Sequence, residues 1–326
     1  MSFAAALAKW YQRGHRDLPW RNTADPYPIW VSEIMLQQTR AQAAIPYYAK
    51  FLQRFPTVES LAMASEPDVL ACWSGLGYYS RARNLRKAAA EIVRGGRFPA
   101  SFEDIHALPG VGPYTAAAIA SIAFQQPHAA LDGNVFRVIS RLANDAGEIS
   151  SGTTRKRFER IAAGLLDRRN PGQFNQAMME LGATVCLPRA PLCLLCPVKS
   201  FCDAHRAGTQ GQLPVKARLA APERLECTLA LVERRGKILL RQRAGDSRRM
   251  AGFWELPNAD EIPHFKRDKF IGTFTHTIVR QHFTFTLYTV NTGRKPAGFQ
   301  WVERDILDRI PVTTITRKAI VLARRS

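Results

Sequence analysis

The sequence contains no apolar run of about 18 residues, no internal repeat and no low-complexity tract, and its six cysteines are not evenly spread. Without such an apolar run we expect no membrane-spanning helix. The first residues are mildly apolar but carry neither a basic leader nor a secretory cleavage site, so we interpret them as the start of the first helix. The cysteine distribution argues against a secreted disulfide framework and favours a metal site in a reducing compartment.

Acidic residues are also scarce, because 46 Lys and Arg stand against 27 Asp and Glu, for a formal net charge of +19. A field of this sign favours a polyanionic partner. Nucleic acid is the first candidate and an anionic membrane surface the second. A basic surface without a specific partner is the third interpretation.

The pattern along the chain changes near residue 205. Before it, segments with helical spacing alternate with Gly or Pro, at 58–72, 80–95, 114–123 and 173–185. Residues 206–224 contain glycines, prolines and basic residues and are predicted to be a linker. Beyond it, two apolar runs flank Arg235 and Gly236 as in a hairpin, residues 282–290 alternate like a strand, and residues 302–324 look helical at both ends. We therefore predict an all-α domain over 1–205 and a small α/β domain over 225–326.

Four of the cysteines lie in one short segment with the spacing C-x6-C-x2-C-x5-C, formed by Cys186, Cys193, Cys196 and Cys202. Four thiolates in one loop can ligate a tetrahedral zinc ion or a [4Fe–4S] cluster. Zinc ribbons usually present two C-x2-C pairs, and this segment has one. Spacing alone leaves both groups open.

A second motif, "LPGVGPYT" over residues 108–115, places a glycine-rich turn directly before an alanine-rich helix. In such a turn Gly110, Val111 and Gly112 can bring backbone N–H groups close to a phosphate, and the helix N-terminus adds a favourable dipole. The alternative is an ordinary connection between two helices.

Two acidic residues stand out by their surroundings. Glu33 lies in the otherwise apolar and amide-rich "VSEIMLQQT", and Asp132 lies in "LDGNVFRV", where it can cap the following helix. Taken singly, Asp132 is better explained as a helix cap and Glu33 as a capping or solvent-facing residue. Cleavage of an N-glycosidic bond, however, requires one protonated carboxyl and one ionised carboxylate, which is the logic of glycoside hydrolysis.

These four features occur in the order "SEIMLQQT", "LPGVGPYT", "LDGNV" and the cysteine segment, and together they resemble the endonuclease III superfamily of base-excision glycosylases. The resemblance covers residues 1–205 and implies a helix–hairpin–helix glycosylase fold with a [4Fe–4S] cluster at 186–202. Finer motifs resemble the MutY family of adenine glycosylases: "LPWR", "MLQQT", "GLGYYSRARNL" and "FNQAMMELG".

The MutY resemblance implies a role for each matching residue. Glu33 would be the general acid at adenine N7, Asp132 would stabilise the oxocarbenium ion, and Tyr114 and Asn134 would support these two. Gln37 and Tyr78 would wedge into the base stack, with Gln38 and Thr39 near the base opposite the adenine. The pocket for the flipped adenine, which must leave the duplex to be cleaved, would be lined by Trp20, Arg21, Leu36 and Gln176.

Position 114 bears on the reaction type. Bifunctional relatives carry a lysine there as a Schiff-base nucleophile, whereas this sequence has Tyr114. A phenol cannot form an imine, so we expect no strong lyase activity.

The C-terminal segment resembles the Nudix-related module of MutY proteins over residues 225–326. The acidic cluster with which a Nudix hydrolase holds magnesium does not follow Pro257, so we expect a reader of the opposite base and no hydrolase. The family's Phe-Ser-His loop matches residues 276–282, which places Val279 where a hydroxyl is expected. A contact to the oxidised base would then need backbone groups, Thr277 or Arg280. A misalignment of this loop by a few residues is the competing interpretation.

The sequence therefore predicts a monofunctional, monomeric glycosylase that excises adenine opposite 8-oxoguanine or guanine in duplex DNA. We expect it in the cytoplasm of a bacterial-type cell, with the nucleoid and without membrane association. The alternatives are a thymine or oxidised-pyrimidine glycosylase of the same fold, a non-catalytic iron–sulfur DNA-binding protein, and a Nudix hydrolase.

Overall fold

The computed structural model describes residues 1–217, 221–247, 250–262, 266–278, 280–292 and 295–325. Up to residue 217 it is helical. The helices are α1 Phe3–Arg13, α2 Pro26–Leu36, α3 Ala41–Arg54, α4 Val58–Met63, α5 Glu66–Trp73, α6 Ser80–Arg94, α7 Phe102–His106, α8 Pro113–Phe124, α9 Gly133–Leu142, α10 Gly152–Leu165, α11 Pro171–Thr184 and α12 Asp203–Ala207. No helix among these ranges has both the length and the hydropathy required to cross a membrane.

The predicted helices are present with one correction. The segment predicted as one helix over 58–72 forms two, α4 and α5, because Ser65 caps the start of α5 and Pro67 follows within its first turn. A serine cap followed by proline starts a new helix more readily than it continues an old one.

The core of the helical part joins α1, α9, α10 and α11 through buried aromatic and aliphatic side chains such as Phe3, Ile139, Phe158 and Leu181. Cysteines of the predicted cluster segment pack against the same core. The helix that follows Asp132 and the cysteine segment are thereby parts of one packed body.

The strands all lie after residue 222. They are β1 Glu223–Leu231, β2 Glu233–Arg234, β3 Lys237–Gln242, β4 Trp254–Glu255, β5 Lys269–Ile278, β6 Gln281–Thr289 and β7 Phe299–Glu303, and they are followed by helix α13 Thr314–Ala323. Strand β6 confirms the alternating pattern at 282–290. The predicted helical start near residue 302 is wrong, since β7 and a short 3-10 turn occupy that stretch.

The strands form two small sheets. One has the order β1-β6-β5, with β1 parallel to β6, and the other is antiparallel and joins β3 to β2, β4 and β7. The predicted hairpin at Arg235 and Gly236 exists, and both residues have the positive φ values that a tight turn requires. On the N-terminal side of this turn, the strand that pairs with β3 is the two-residue β2. The longer apolar run that precedes β2 forms β1, which belongs to the other sheet.

Internal contacts divide the chain differently from the two predicted domains. One compact unit comprises residues 1–52, 57–62 and 87–218, and the other comprises 53–56, 63–86 and 219–326. Helix α5 and the first half of α6 therefore group with the C-terminal strands. The sequence could not indicate this, because their helical pattern matches that of their neighbours along the chain.

Helices α9 and α11 approach each other closely at Asn134 and Gly182. A Cβ atom added at Gly182 would lie 2.6 Å from Asn134 Cβ, whereas one added at Gly164, also near a helix end, meets nothing within 4 Å. We expect Gly182→Ala to lower the free energy of unfolding by roughly 1–3 kcal/mol. Gly164→Ala is the matched control and should leave it unchanged or raise it by up to about 1 kcal/mol. Urea unfolding followed by circular dichroism measures both, and equal stabilities would contradict the packing described.

Candidate active site

Glu33 lies inside the protein in the middle of α2, a helix with buried residues on every side from Ile29 to Met35. Its side chain is 5% exposed. The hydroxyl of Tyr114, the second residue of α8, donates a hydrogen bond of 2.6 Å to Glu33 Oε2. The tyrosine hydroxyl also lies 3.2 Å from the sulfur of Met179. Two helices far apart in sequence thus bring the predicted acid and its predicted supporting residue into contact.

Burial raises the pKa of Glu33 to about 7, and the negative charge of Asp132 adds to the rise, while the hydrogen bond from Tyr114 and the charge of Arg21 oppose it. Burial also raises the pKa of Tyr114 well above 10. The phenol therefore stays protonated and keeps donating. A carboxyl with a pKa near 7 is protonated in a large fraction of molecules at neutral pH, which is the state a general acid needs.

Asp132 caps the N-terminus of α9 and is half-buried. Its carboxylate accepts from the backbone N–H of Val135 at 2.7 Å and from the side-chain amide of Asn134 at 2.7 Å. Burial raises the pKa of Asp132, while these hydrogen bonds and the charge of Arg137 oppose the rise. The two acids thus have different surroundings: Glu33 receives one hydroxyl, whereas Asp132 receives two N–H donors and a helix N-terminus that stabilise its ionised form.

Arg137 continues the hydrogen-bond network from Asp132 toward the cysteine segment. Its guanidinium donates to Asn134 Oδ1 at 2.8 Å, to the carbonyl of Gly182 at 2.7 Å and to the carbonyl of Cys186 at 2.8 Å. Asn134 is therefore held on both sides, by the aspartate that it contacts and by a buried arginine.

Arg141, one turn further along α9, is 2% exposed and lies against the first cysteine. It donates to Cys186 Sγ at 3.2 Å and to the backbone carbonyls of Leu187 and Leu213 at 2.7 and 3.0 Å. The Sγ of Cys202 donates to the carbonyl of Arg141 at 3.4 Å. A fixed cation thus adjoins the thiols at one end of the helix that begins at Asp132.

All four predicted cysteine ligands line one cavity, together with Arg141, His205 and other residues but with no carboxylate. None of the six cysteines is in a disulfide. Among the residues that the structure describes, no three His, Cys, Asp or Glu side chains are arranged to hold a single metal ion. Four thiols facing one cavity beside a buried arginine are a donor set that suits an anionic, sulfur-ligated group.

The predicted phosphate-binding turn lies between α7 and α8. Gly110 has a φ of +78°, and Gly112 occupies the N-cap position of α8 without a side-chain cap. Val111 is buried and anchors the turn. The first N–H groups of α8 are consequently free of a capping side chain, as an anion site at a helix N-terminus requires.

Arg21, predicted to line the adenine pocket, is held by an acid that the sequence analysis missed. Glu180 accepts from Arg21 at 2.7 Å and from the guanidinium of Arg16 at 2.8 to 3.1 Å. Burial opposes ionisation of Glu180, but these bonds outweigh it and lower its pKa to about 2. Gln176 accepts from the hydroxyl of Tyr11 at 3.2 Å and shares with Arg21 a cavity of about 260 Å³.

Trp20 and Leu36, the remaining predicted pocket residues, differ in burial. Trp20 is 7% exposed and packs edge-on against Tyr48 at 5.3 Å, so its position fits core packing as well as a pocket wall. Leu36 is half-buried at the end of α2.

The turn after α2 carries three further predicted contacts. Gln37 ends the helix and donates to Thr115 Oγ1 at 3.2 Å. Gln38 is exposed and has a φ of +61°, and the N–H of Thr39 bonds to the carbonyl of Leu36 at 3.2 Å. The chain turns sharply here, and the side chain of Gln38 is available to a ligand.

Tyr78 lies in the loop between α5 and α6 and is 49% exposed, with a φ of +48°. The guanidinium of Arg81 lies 5.5 Å from its ring centre and 5.5 Å from that of Trp73. The predicted wedge is thus a supported aromatic side chain open to solvent. It belongs to the C-terminal compact unit, whereas Glu33 and Asp132 belong to the other.

In the C-terminal module, Val279 lies outside the described residues. Arg280 is exposed between β5 and β6, and its carbonyl accepts from the N–H of Glu223 at 3.1 Å. The acids nearest to the expected Nudix motif are engaged by arginines: Glu255 is paired with Arg241 and Arg243 at 2.9 and 2.8 Å.

Sequence reasoning thus missed the residues that hold the site together: Arg16, Arg137, Arg141, Met179 and Glu180. A signal was present for two of them, since Arg137 and Arg141 are spaced by one turn on an otherwise apolar helix. Arginine repeated on a buried face indicates fixed acceptors.

Parts of the chain match proteins of known function. The family model "HhH-GPD superfamily base excision DNA repair protein" matches residues 31–163. The adenine DNA glycosylase of Mus musculus is 45% identical over 239 residues, which cover 70% of this chain and 46% of the relative. That of Arabidopsis thaliana is 33% identical over 359 residues, which cover 95% of this chain and 57% of the relative. The chain thus spans about half the length of these curated relatives.

Among solved structures, a thermostable thymine-DNA glycosylase matches with 29% identity and a TM-score of 0.56, over 63% of this chain and 95% of that chain. The helical fold of this chain is therefore that of a base-excision glycosylase. With Glu33, Asp132 and the glycine-rich turn placed within that fold, residues 31–163 match the HhH-GPD superfamily of base excision DNA repair proteins, and adenine DNA glycosylases are among the relatives of the chain.

Proposed function

We propose that the chain is a monofunctional adenine DNA glycosylase that removes adenine opposite 8-oxoguanine or guanine in duplex DNA. The observation that carries the proposal is the buried Glu33, whose pKa is raised to about 7 and whose carboxyl is held by Tyr114 at 2.6 Å. A departing purine requires such a proton donor. The excess of positive charge suits the DNA duplex. We expect the protein to act as a monomer.

In the proposed reaction, Glu33 donates its proton to N7 of the flipped adenine. The bond between C1′ and N9 then breaks and its electron pair leaves with the base, which the proton has neutralised. Asp132 remains ionised and stabilises the positive charge that develops on the sugar. Water adds to C1′ and loses a proton, which gives free adenine and an abasic site.

Tyr114 limits the reaction to this hydrolysis. Its phenol remains protonated and is bonded to Glu33, so no amine at this position can attack the sugar. We propose that the product strand stays unbroken.

The cysteine segment is proposed to hold a [4Fe–4S] cluster through Cys186, Cys193, Cys196 and Cys202. The shared cavity, the buried Arg141 and the lack of a carboxylate among the lining residues support it. The cluster would supply ligation that orders the segment. Through Arg137, the backbone of Cys186 then supports Asn134 and Asp132.

The C-terminal module is proposed to read the base opposite the adenine. Its described part offers Arg280 at the turn between β5 and β6, and a contact through Val279 would have to use backbone groups. A single polar contact to the oxidised base contributes about 0.5–1.5 kcal/mol, so this loop alone would discriminate by roughly tenfold at most.

A cleavage assay tests the proposed function. The full chain is incubated under single-turnover conditions with duplexes that carry A opposite 8-oxoguanine, A opposite G and T opposite G, with and without alkali. We expect breaks only after alkali and only in the strand with adenine. Release of thymine alone would favour the specificity named for the structural neighbour, and breaks without alkali that borohydride traps would contradict the role of Tyr114.

The catalytic role of Glu33 predicts that Glu33→Gln lowers the rate of adenine release by about 10²–10⁴-fold, because the amide keeps the shape but has no proton to donate. DNA affinity should change little. The exposed Glu91→Gln, on α6, removes the same charge and is the control. Asp132→Asn should also impair release strongly. A near-normal single-turnover rate for Glu33→Gln, in protein that binds DNA normally, would refute the assignment.

The raised pKa of Glu33 predicts how the single-turnover rate of adenine release depends on pH. Since the protonated form is the active one, the single-turnover rate should be maximal below pH 7 and fall as pH rises through about 7. Tyr114→Phe removes a hydrogen bond that favours the ionised carboxylate, so its rate should fall at higher pH than that of the wild type. A profile that rises between pH 6 and 8 would exclude Glu33 as the acid.

The cysteine site predicts that protein purified without oxygen contains about four irons per chain and is brown. Cys193→Ser should lose iron and weaken both the folding of the segment and DNA binding. Elemental analysis gives the metal, and Cys227→Ser, in the strand module, is the control with full iron content. One zinc per chain and no iron would overturn the cluster.

A further inference from the structure

The loop between α5 and α6 carries two adjacent tyrosines in opposite environments. Tyr78 is 49% exposed, whereas Tyr79 is 5% exposed. Gly75, Gly77 and Tyr78 all have positive φ values. Tyr78 is in a conformation that bulky residues adopt rarely and keep only where their surroundings impose it. Its position therefore depends on what holds the loop.

The buried tyrosine contacts the C-terminal module. Its ring centre lies 4.1 Å from that of Phe253, which is fully buried between β3 and β4. Four residues further along α6, Arg83 donates to the carbonyl of Ala251 at 2.6 Å. The residue next to the predicted wedge is thus packed against the module that is proposed to read the opposite base.

A second contact holds the other end of the loop. The hydroxyl of Ser74 donates to the carbonyl of Val312 at 3.1 Å and accepts from Arg317 Nε at 3.0 Å. Within the loop, the N–H of Gly75 donates to the hydroxyl of Tyr79 at 3.4 Å. Both ends of the loop are therefore fixed to residues of the module.

The module residues that make these contacts are joined by backbone hydrogen bonds. The N–H of Arg243 donates to the carbonyl of Phe253 at 2.9 Å, and Trp254 exchanges hydrogen bonds of 2.8 and 3.0 Å with Pro311 and Thr313. Phe253 and Val312, which contact the loop, are joined through Trp254. Because these backbone hydrogen bonds connect them, we expect a displacement of Phe253 to shift Val312 as well.

We propose that the C-terminal module discriminates the opposite base partly by fixing Tyr78, through the contact of Tyr79 with Phe253 and the bonds of Ser74, and not only through the turn between β5 and β6. Phe253 is then a positioning residue that acts through Tyr79. The proposal rests on the proposed function for the DNA that Tyr78 enters.

The structural half of the proposal is tested on the free protein, without DNA. Phe253→Leu loosens the contact with a small loss of volume. Phe285→Leu is the matched control, because Phe285 is also buried in the C-terminal unit and stacks on Phe274, not on Tyr79. Hydrogen exchange of the Gly75 and Leu76 amides should be roughly 2- to 10-fold faster in Phe253→Leu than in Phe285→Leu. Ser74→Ala should accelerate the same amides, which keeps the test valid if Phe253→Leu folds poorly. Equal exchange in all variants would overturn the proposal whatever the substrate.

The functional half of the proposal is tested by two single-turnover rates, that of adenine release opposite 8-oxoguanine and that of adenine release opposite guanine. The measured quantity is the ratio of the first rate to the second. Phe253→Leu should lower this ratio by roughly 2- to 10-fold, and Phe285→Leu should leave it unchanged. Tyr78→Ala should lower the ratio too, and adding Phe253→Leu to it should have no further effect, because both changes remove the same interaction. Independent effects that multiply would show that the module acts by another route.

The two halves separate failure of this inference from failure of the proposed function. If the wild type releases thymine and not adenine, the proposed function fails, while the exchange of the loop amides still decides whether Phe253 fixes the loop. If adenine is released but the ratio is the same for Phe253→Leu and Phe285→Leu, the inference fails and the proposed function stands.

Discussion

The candidate site depends on keeping the Glu33 carboxyl inside the protein, where it accepts a hydrogen bond from a neutral hydroxyl and the charge of Arg21 offsets only part of the effect of burial. Glu33 lies on a helix that is buried on all sides, and its one hydrogen bond comes from a neutral phenol. A full ion pair would have lowered its pKa, as the pairing with Arg16 and Arg21 does for Glu180. The contrast between these two buried glutamates shows that the hydrogen-bond partners decide whether the pKa of a buried carboxyl is raised or lowered.

Helix α9 connects the second acid to the rest of the domain. Asp132 caps its start, Arg137 joins Asn134 to the carbonyls of Gly182 and Cys186, and Arg141 reaches the first cysteine. The close approach at Gly182 allows this, because a larger residue would push α11 away from Asn134. A carboxylate that must face a developing positive charge needs such fixed support, since displacement by an ångström weakens the interaction strongly.

Much of this could be predicted from sequence because the informative residues lie in short, ordered motifs. Glu33, the glycine-rich turn, Asp132 and the cysteines were each recognisable, and the helical periodicity of α6, α8 and α11 gave their approximate bounds. What escaped prediction is non-local. Nothing near Glu180 in sequence indicates that Arg16 pairs with it, and nothing in 63–86 indicates packing against strands that follow residue 222. Likewise, the apolar run of β1 predicted a hairpin with β3, but its hydrogen-bond partner is the distant β6.

The division into compact units has a consequence for how the two proposed tasks can be separated. Glu33, Asp132, Gln37 and the cysteines belong to one unit, and Tyr78 belongs to the unit of the C-terminal strands. The three residues that, besides burial, shift the pKa of Glu33 are Tyr114, Asp132 and Arg21, and all belong to its own unit. Tyr78, in contrast, lies between Ser74 and Tyr79, which contact Val312, Arg317 and Phe253 of the C-terminal module. Under the proposed function, a change of packing in the strand module can therefore alter selection of the opposite base without altering the residues around Glu33.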